Sequence, residues 1–138
     1  MVQDFQIKHT SPTVDDFLTL RAQVGWQNMS AADAQVSLQN SLFHVSVYNN
    51  AMLIGMGRIV GDGVMYFYIQ DVVVAPKAQG LGIGTKLMSQ IEDYIAKNAK
   101  QGATIGLLSA KGKENFYSRF GYTIRPNEAL GHGMCKFI

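Results

Sequence analysis

The sequence predicts an α/β fold, a mixed β-sheet with helices on both faces, and three observations lead there. Apolar and polar residues alternate through "FQIKH", the pattern of an edge strand, and "FHVSVY" and "MLIGMGRIV" flank a turn as the two strands of a hairpin. A run of a dozen aromatic and β-branched residues, "VMYFYIQDVVVA" (64–75), stops at Pro76 and reads as a long central strand. An amphipathic stretch follows a glycine-rich turn and leads into a second buried run, "ATIGLLSA". Strand, helix and strand in that order make a right-handed crossover, so the strands of the 64–109 unit should be parallel. The hairpins before them are antiparallel, which makes the sheet mixed.

The elements follow in order. "FQIKH" (5–9) is an edge strand. "TSPTVDDFLTLRAQVGW" is a helix, with Ser11 as N-cap, Pro12 at the first helical position, and Asp15 and Asp16 at the positive end of the dipole. Gly25 ends it, and "GWQNM" is a loop with the only tryptophan, Trp26. "SAADAQVSLQNS" is a second helix, with Ser30 and Asp33 spaced as a capping box. "FHVSVY", the turn "NNA" and "MLIGMGRIV" form a hairpin, and "GDG" (61–63) is a second tight turn. Residues 82–98 form a helix with Leu87, Ile91, Tyr94 and Ile95 on one face, closed by Gly102. "KENFYSRFG" is a short helix ending at Gly121, and "YTIR" and "GMCKFI" are closing strands. No repeat, linker or low-complexity segment divides the chain, so residues 1–138 read as one domain.

The bulk composition narrows the function. With 138 residues, 47% apolar and 16% charged, the chain is an ordinary globular domain able to bury one core. No apolar run approaches a membrane span, and "MVQDFQIKHT" lacks the plan of a signal peptide. Cys135 is the single cysteine, which excludes an internal disulfide and fits a reducing compartment; the expected location is cytoplasmic. A net charge of +2 gives no nucleic-acid footprint. Its distribution says more: residues 1–71 carry three Lys/Arg against six Asp/Glu, and residues 72–138 carry nine against four. The basic half begins beside the glycine loop, where an anion would be received.

That loop, "QGLGIGTK", stands between a strand and a helix. A helix N-terminus offers unpaired N–H groups and partial positive charge, and glycine at 80, 82 and 84 lets an anion reach the backbone. A Walker loop is excluded, because Lys86 follows Gly84 and Thr85 in the wrong order. A dinucleotide fingerprint fits poorly: position 85 is Thr, and no acid ends the next strand. The pattern Q/R-x-x-G-x-G/A does fit, at Gln79, Gly82 and Gly84. It resembles the coenzyme A pyrophosphate loop of the GCN5-related N-acetyltransferases, the GNAT superfamily. "ENFYSRFGY" resembles the same family's second motif, and the element order is similar to the family fold over nearly the whole chain.

The resemblance implies a GNAT-like sheet, with antiparallel N-terminal strands and a splayed parallel central pair. It implies acetyl-CoA as cosubstrate, no metal, and attack by an amine on the thioester in a ternary complex. Carried over, the coenzyme arm pairs with the backbone of Val72, Val73 and Val74. The pyrophosphate sits on Gln79, Gly80, Leu81, Gly82, Ile83, Gly84 and Thr85, and Asn115 touches the coenzyme. Lys77, Lys86, Lys111 and Lys113 are cations within the basic half. Tyr117 holds the position of the family's acid, protonated at neutral pH and able to give its proton to the departing thiolate. A backbone N–H near Val72 is the expected carbonyl donor. The base is open between Asp71, beside the splay, and His132 in "LGHGM". His44, between Phe43 and Val45, reads as structural, and Cys135 as core. Many members carry an asparagine where this chain has Ala110, with Ser109 as a substitute. Trp26, Tyr68 and His132 are expected to line the acceptor side, with Phe67 and Met134 as further candidates. The acceptor is a small amine: a polyamine, an arylalkylamine, an amino sugar or an aminoglycoside. Neither nucleic acid nor membrane is an expected partner, and a homodimer is compatible. The alternative function is a non-catalytic acyl-CoA-binding or sensing domain.

Overall fold

The structure is a computed structural model that describes residues 4–138. The leader-segment reading bears partly on residues 1–3, which lie outside the described residues. The chain forms two compact units, one up to Gly106 and one from Leu107 to Ile138.

The first unit holds β1 (Gln6–Lys8), α1 (Val14–Gln23), α2 (Ala31–Gln39), β2 (Phe43–Asn49), β3 (Met52–Gly61), β4 (Tyr66–Val74) and α3 (Ile83–Asn98). With β5 (Thr104–Leu107), the strands form one sheet in the order β1-β2-β3-β4-β5. The pairs β1–β2, β2–β3 and β3–β4 are antiparallel. β5 enters beside the start of β4, where Thr104 N–H donates to the Met65 carbonyl at 2.8 Å, and the two strands run parallel. The mixed sheet expected from sequence is therefore present. Asp62 sets up the turn before β4, its Oδ1 accepting from the N–H groups of Val64, Met65 and Tyr66.

Helices cover both faces. Gly55 and Gly57 of β3 face α3, and Arg58, the next residue and out of phase with them, reaches Ser37 of α2 on the other side. The core contains Val45, Val47, Ile59, Phe67, Ile69, Leu87, Met88 and Ile91, all nearly inaccessible to solvent. The two glycines let α3 lie close to the sheet. A Cβ at position 55 would meet Ile83 Cγ2 at 2.9 Å and Leu87 Cδ1 at 3.5 Å. Ile83 and Leu87 are buried, so neither yields cheaply. Gly55→Ala is expected to destabilise the fold by about 1–3 kcal/mol through overpacking, read as a lower urea midpoint. Ile83 opens α3, so the same substitution should also disturb the loop that feeds the helix.

Several boundaries differ from expectation. Thr13, not Ser11, caps α1, accepting from Asp16 N–H at 3.2 Å, while the Ser11 hydroxyl donates to the Pro12 carbonyl. Pro12 therefore precedes the cap and is buried. Ser30 caps α2 as expected, accepting from Asp33 N–H at 3.2 Å. α3 stops at Asn98 with an extended Ala99; Gly102 belongs to the following turn at φ 98°. His44 Nε2 donates to the Leu38 carbonyl, 3.0 Å away. Burial first, and the Arg58 charge after it, lower the imidazole pKa against that backbone bond. The neutral ring is the form the fold favours, so the stabilisation is full above the unfolded value near 6.5 and is lost as pH falls through the depressed folded value. The melting temperature should fall on acidification below that pH, and less so in His44→Gln.

The second unit contains α4 (Glu114–Ser118), ended by Gly121 at φ 91°. The two expected closing strands are absent: no strand lies within 122–138. Local turn chemistry takes their place. Asn127 Oδ1 accepts from the N–H groups of Ala129 and Leu130, and Arg125 Nε donates to the Gly131 carbonyl. Cys135 is exposed rather than core, as are Met134 and Phe137. Alternation alone does not make a strand; a partner edge is needed.

Candidate functional site

β4 carries the local irregularity around which the site is built. Met56 pairs with Val73, but Arg58 pairs with Gln70, so Gly57 alone faces Asp71 and Val72. This is a β-bulge, and Asp71 within it takes φ 56°, a left-handed conformation rare outside glycine. Past the bulge, Val72 and Val74 are half-buried while Val73 is buried. β4 runs on well beyond the length of the four-residue β5. The backbone stretch assigned to the coenzyme arm therefore begins at the bulge.

The chain then turns through a 3₁₀ segment at Pro76–Ala78. Gln79 folds back, its Nε2 donating to the Val74 carbonyl at 3.2 Å, which ties the loop to the end of β4. Gly80 and Gly82 take φ 83° and 80°, and a Cβ at either would meet nothing within 4 Å. Gly82 caps α3 without any side-chain bond. Among the described residues, no acceptor takes the backbone N–H groups of residues 80–85; the first satisfied one is Lys86, bonded to the Gly82 carbonyl at 3.1 Å. Unpaired donors thus point out of an open, glycine-lined surface at the positive end of a sixteen-residue helix. That arrangement fits a pyrophosphate. Lys77 and Lys86 are exposed beside it. A separate cleft of about 420 Å³ lies at the start of β4 and the end of α3, lined in part by Val64, Met65 and Gly102. It is away from the loop and holds none of the expected site residues.

Asp71 does not stand open as a base. It is 3% exposed, and both carboxylate oxygens are taken: Oδ1 by Arg21 Nη1, and Oδ2 by Arg58 Nε at 2.8 Å. A buried carboxylate clasped by two guanidiniums has no free oxygen for an incoming ammonium. Arg58 continues to the Ser37 carbonyl, Ser37 Oγ and Ser41 Oγ. Arg21 continues to the Gln27 carbonyl and Asn28 Oδ1, and its guanidinium lies 5.3 Å from the Trp26 ring centroid. Trp26 and Tyr68 are half-buried.

The two arginines are functional candidates that sequence reading passed over. A signal existed. Arg21, Arg58 and Lys8 are the only basic residues of the first 71, and Arg58 and Asp71 each interrupt an apolar strand, where a charge demands a partner.

In the second unit, Tyr117 is half-buried on α4, its ring edge-on to Phe116 at 5.1 Å. Burial pushes its hydroxyl pKa above the ordinary value of 10.0. Asn115, Lys111 and Lys113 are exposed, as is His132. The Ser109 hydroxyl donates to the Ala110 carbonyl at 2.7 Å, so its proton is engaged. Among the described residues, no cluster of His, Cys, Asp or Glu could hold a metal, and no helix is long and apolar enough to cross a membrane.

Comparison with known proteins decides the family. The model of the acetyltransferase (GNAT) domain matches residues 16–136. This chain belongs to the GNAT acetyltransferase family. The curated relatives it matches are named N-acetyltransferases. The chain is 33% identical over 113 residues to an uncharacterized N-acetyltransferase, ycf52-like, of Prochlorococcus marinus, covering 78% of this chain and 61% of that one. It is 32% identical over 79 residues to serotonin N-acetyltransferase 2, chloroplastic, of Oryza sativa, covering 56% of this chain and 38% of the relative. The fold matches a crystal structure of a protein of unknown function from meticillin-resistant Staphylococcus aureus at a TM-score of 0.87 and 29% identity, over 97% of this chain and 100% of that one. The chain spans about three-fifths of the length of the first curated relatives it matches. Members of this GNAT family generally use acetyl-CoA.

Proposed function

We propose that this GNAT chain moves an acetyl group from acetyl-CoA to the primary amine of a small acceptor, by direct attack in a ternary complex. The observation that carries the reading is the row of unpaired N–H groups at residues 80–85, opening onto glycines. Bound acetyl-CoA supplies the thioester carbonyl that the amine attacks. The 80–85 N–H groups receive its pyrophosphate, with Lys77 and Lys86 adding positive charge. The backbone of Val72, Val73 and Val74 pairs with the arm amides, and Asn115 contacts the coenzyme. An N–H near Val72 donates to the carbonyl oxygen as charge develops there. Tyr117 gives its hydroxyl proton to the departing thiolate. With both oxygens of Asp71 engaged, the acceptor ammonium loses its proton to water, with His132 the alternative side chain. The compartment in this reading is a reducing one, the cytoplasm.

An arylalkylamine is the acceptor class to test first. Trp26 and Tyr68 offer aromatic surface, and one relative is named for serotonin. Thiol release from acetyl-CoA should be measured with tryptamine, spermidine, glucosamine and kanamycin. Turnover with tryptamine above the others supports the class. Turnover confined to another amine overturns the class but keeps the reaction, and binding of acetyl-CoA without turnover on any amine favours the non-catalytic acyl-CoA-binding alternative.

A further inference from the structure

We propose that Arg21, anchored on Asp71, is a positioning residue that sets the Trp26 loop from the bulge in β4, so that filling the coenzyme cradle fixes the acceptor-side wall. The inference rests on the coenzyme reading above and goes beyond it. Asp71 is the pivot. Its backbone is left-handed, at φ 56°, a conformation uncommon outside glycine, and it occurs where both carboxylate oxygens are held. Arg58 is the fixed side of the pivot. It is tied to α2 through Ser37 and to Ser41, two residues past the helix, and its guanidinium rests 5.6 Å from the Phe17 ring centroid.

Arg21 is the moving side. One guanidinium bridges three groups: Nη1 to Asp71, Nη2 to the Gln27 carbonyl at 2.7 Å, and Nε to Asn28 Oδ1 at 3.0 Å. It also lies beneath Trp26, and Asn28 Nδ2 donates onward to the Leu18 carbonyl of α1. The 26–28 loop is therefore wrapped around this one side chain. Val72, the next residue after Asp71, opens the strand segment assigned to the coenzyme arm. A carboxylate bound at both oxygens cannot rotate without loosening one guanidinium. Any shift of residues 71–72 on coenzyme binding then reaches residues 26–28 through Arg21. A planar five-donor fork is required for this, and a lysine ammonium cannot reproduce the three-way bridge.

Trp26 is the only tryptophan, so its emission reports the loop directly. Coenzyme A is titrated into wild type, Arg21→Lys and Asp71→Asn, with calorimetric heat and Trp26 emission followed in parallel. The expected result is an emission change in wild type that saturates with the heat. In both variants the heat and the Kd should persist while the emission change is lost. Arg21 is partly exposed, so Arg21→Lys carries the test alone if circular dichroism shows Asp71→Asn unfolded. Heat without any emission change in wild type overturns the proposal, as does an emission change that survives Arg21→Lys. Absence of heat in wild type overturns the coenzyme reading and the proposal with it, and is distinguishable because no binding is seen.

Discussion

Valine at position 82 is expected to weaken acetyl-CoA binding by at least about tenfold, equivalent to roughly 1.4 kcal/mol, while the sheet stays folded. Two effects combine. Gly82 caps α3 at φ 80°, where a β-branched residue is strained by roughly 1–2 kcal/mol. The added methyls would also stand on the open face where the 80–85 N–H groups point, since nothing in the protein occupies that space within 4 Å. Gly102→Val separates the two effects. Gly102 has φ 98° and similarly open surroundings, but lies in the turn after α3. It should lower the melting temperature and leave coenzyme affinity alone. Equal affinity in Gly82→Val and wild type would remove the loop from the phosphate site.

Tyr117→Phe should lower kcat by about 10²–10⁴, the usual yield of a positioned proton donor, and leave the Kd for acetyl-CoA unchanged. The raised hydroxyl pKa bears on the pH profile. Burial disfavours the phenolate, so the folded chain holds the proton more tightly than the unfolded chain does. The stabilisation from this group is full below the unfolded value of 10.0 and is lost as pH rises through the higher folded value. The donor form therefore persists across the neutral and mildly alkaline range. The kcat profile should show no Tyr117-dependent decline below pH 10. A decline below that pH in wild type, absent from Tyr117→Phe, would contradict the assignment, and unchanged turnover in Tyr117→Phe would end it.

The elements that read well from sequence are those whose signal is local. Ser30 and Asp33 cap α2 as their spacing implies. The apolar–polar alternation of β2, the proline after β4, and the single apolar face of α3 each carry their own evidence. Thr13 displaced Ser11 because two competent caps lie two residues apart, and only the path of the chain chooses between them. The closing strands depended on a partner that no local pattern supplies. The bulge at Asp71 was hidden for a related reason: burial keeps alternating through 66–74, so one extra residue leaves no trace in the sequence. The glycine turn was legible in part: glycines at 80 and 82 do take positive φ, while Gly84 lies in the first turn of α3. Arg21 and Arg58 were visible as charges out of place, but their common partner lies fifty and thirteen residues away in sequence.

The central claim is that the glycine loop of this GNAT chain receives coenzyme A. Isothermal titration with acetyl-CoA, run beside CoA, NADH and ATP, tests it most directly. The account predicts saturable binding of acetyl-CoA and CoA, with NADH and ATP far weaker. A folded protein that binds none of the four, or prefers NADH, would contradict it.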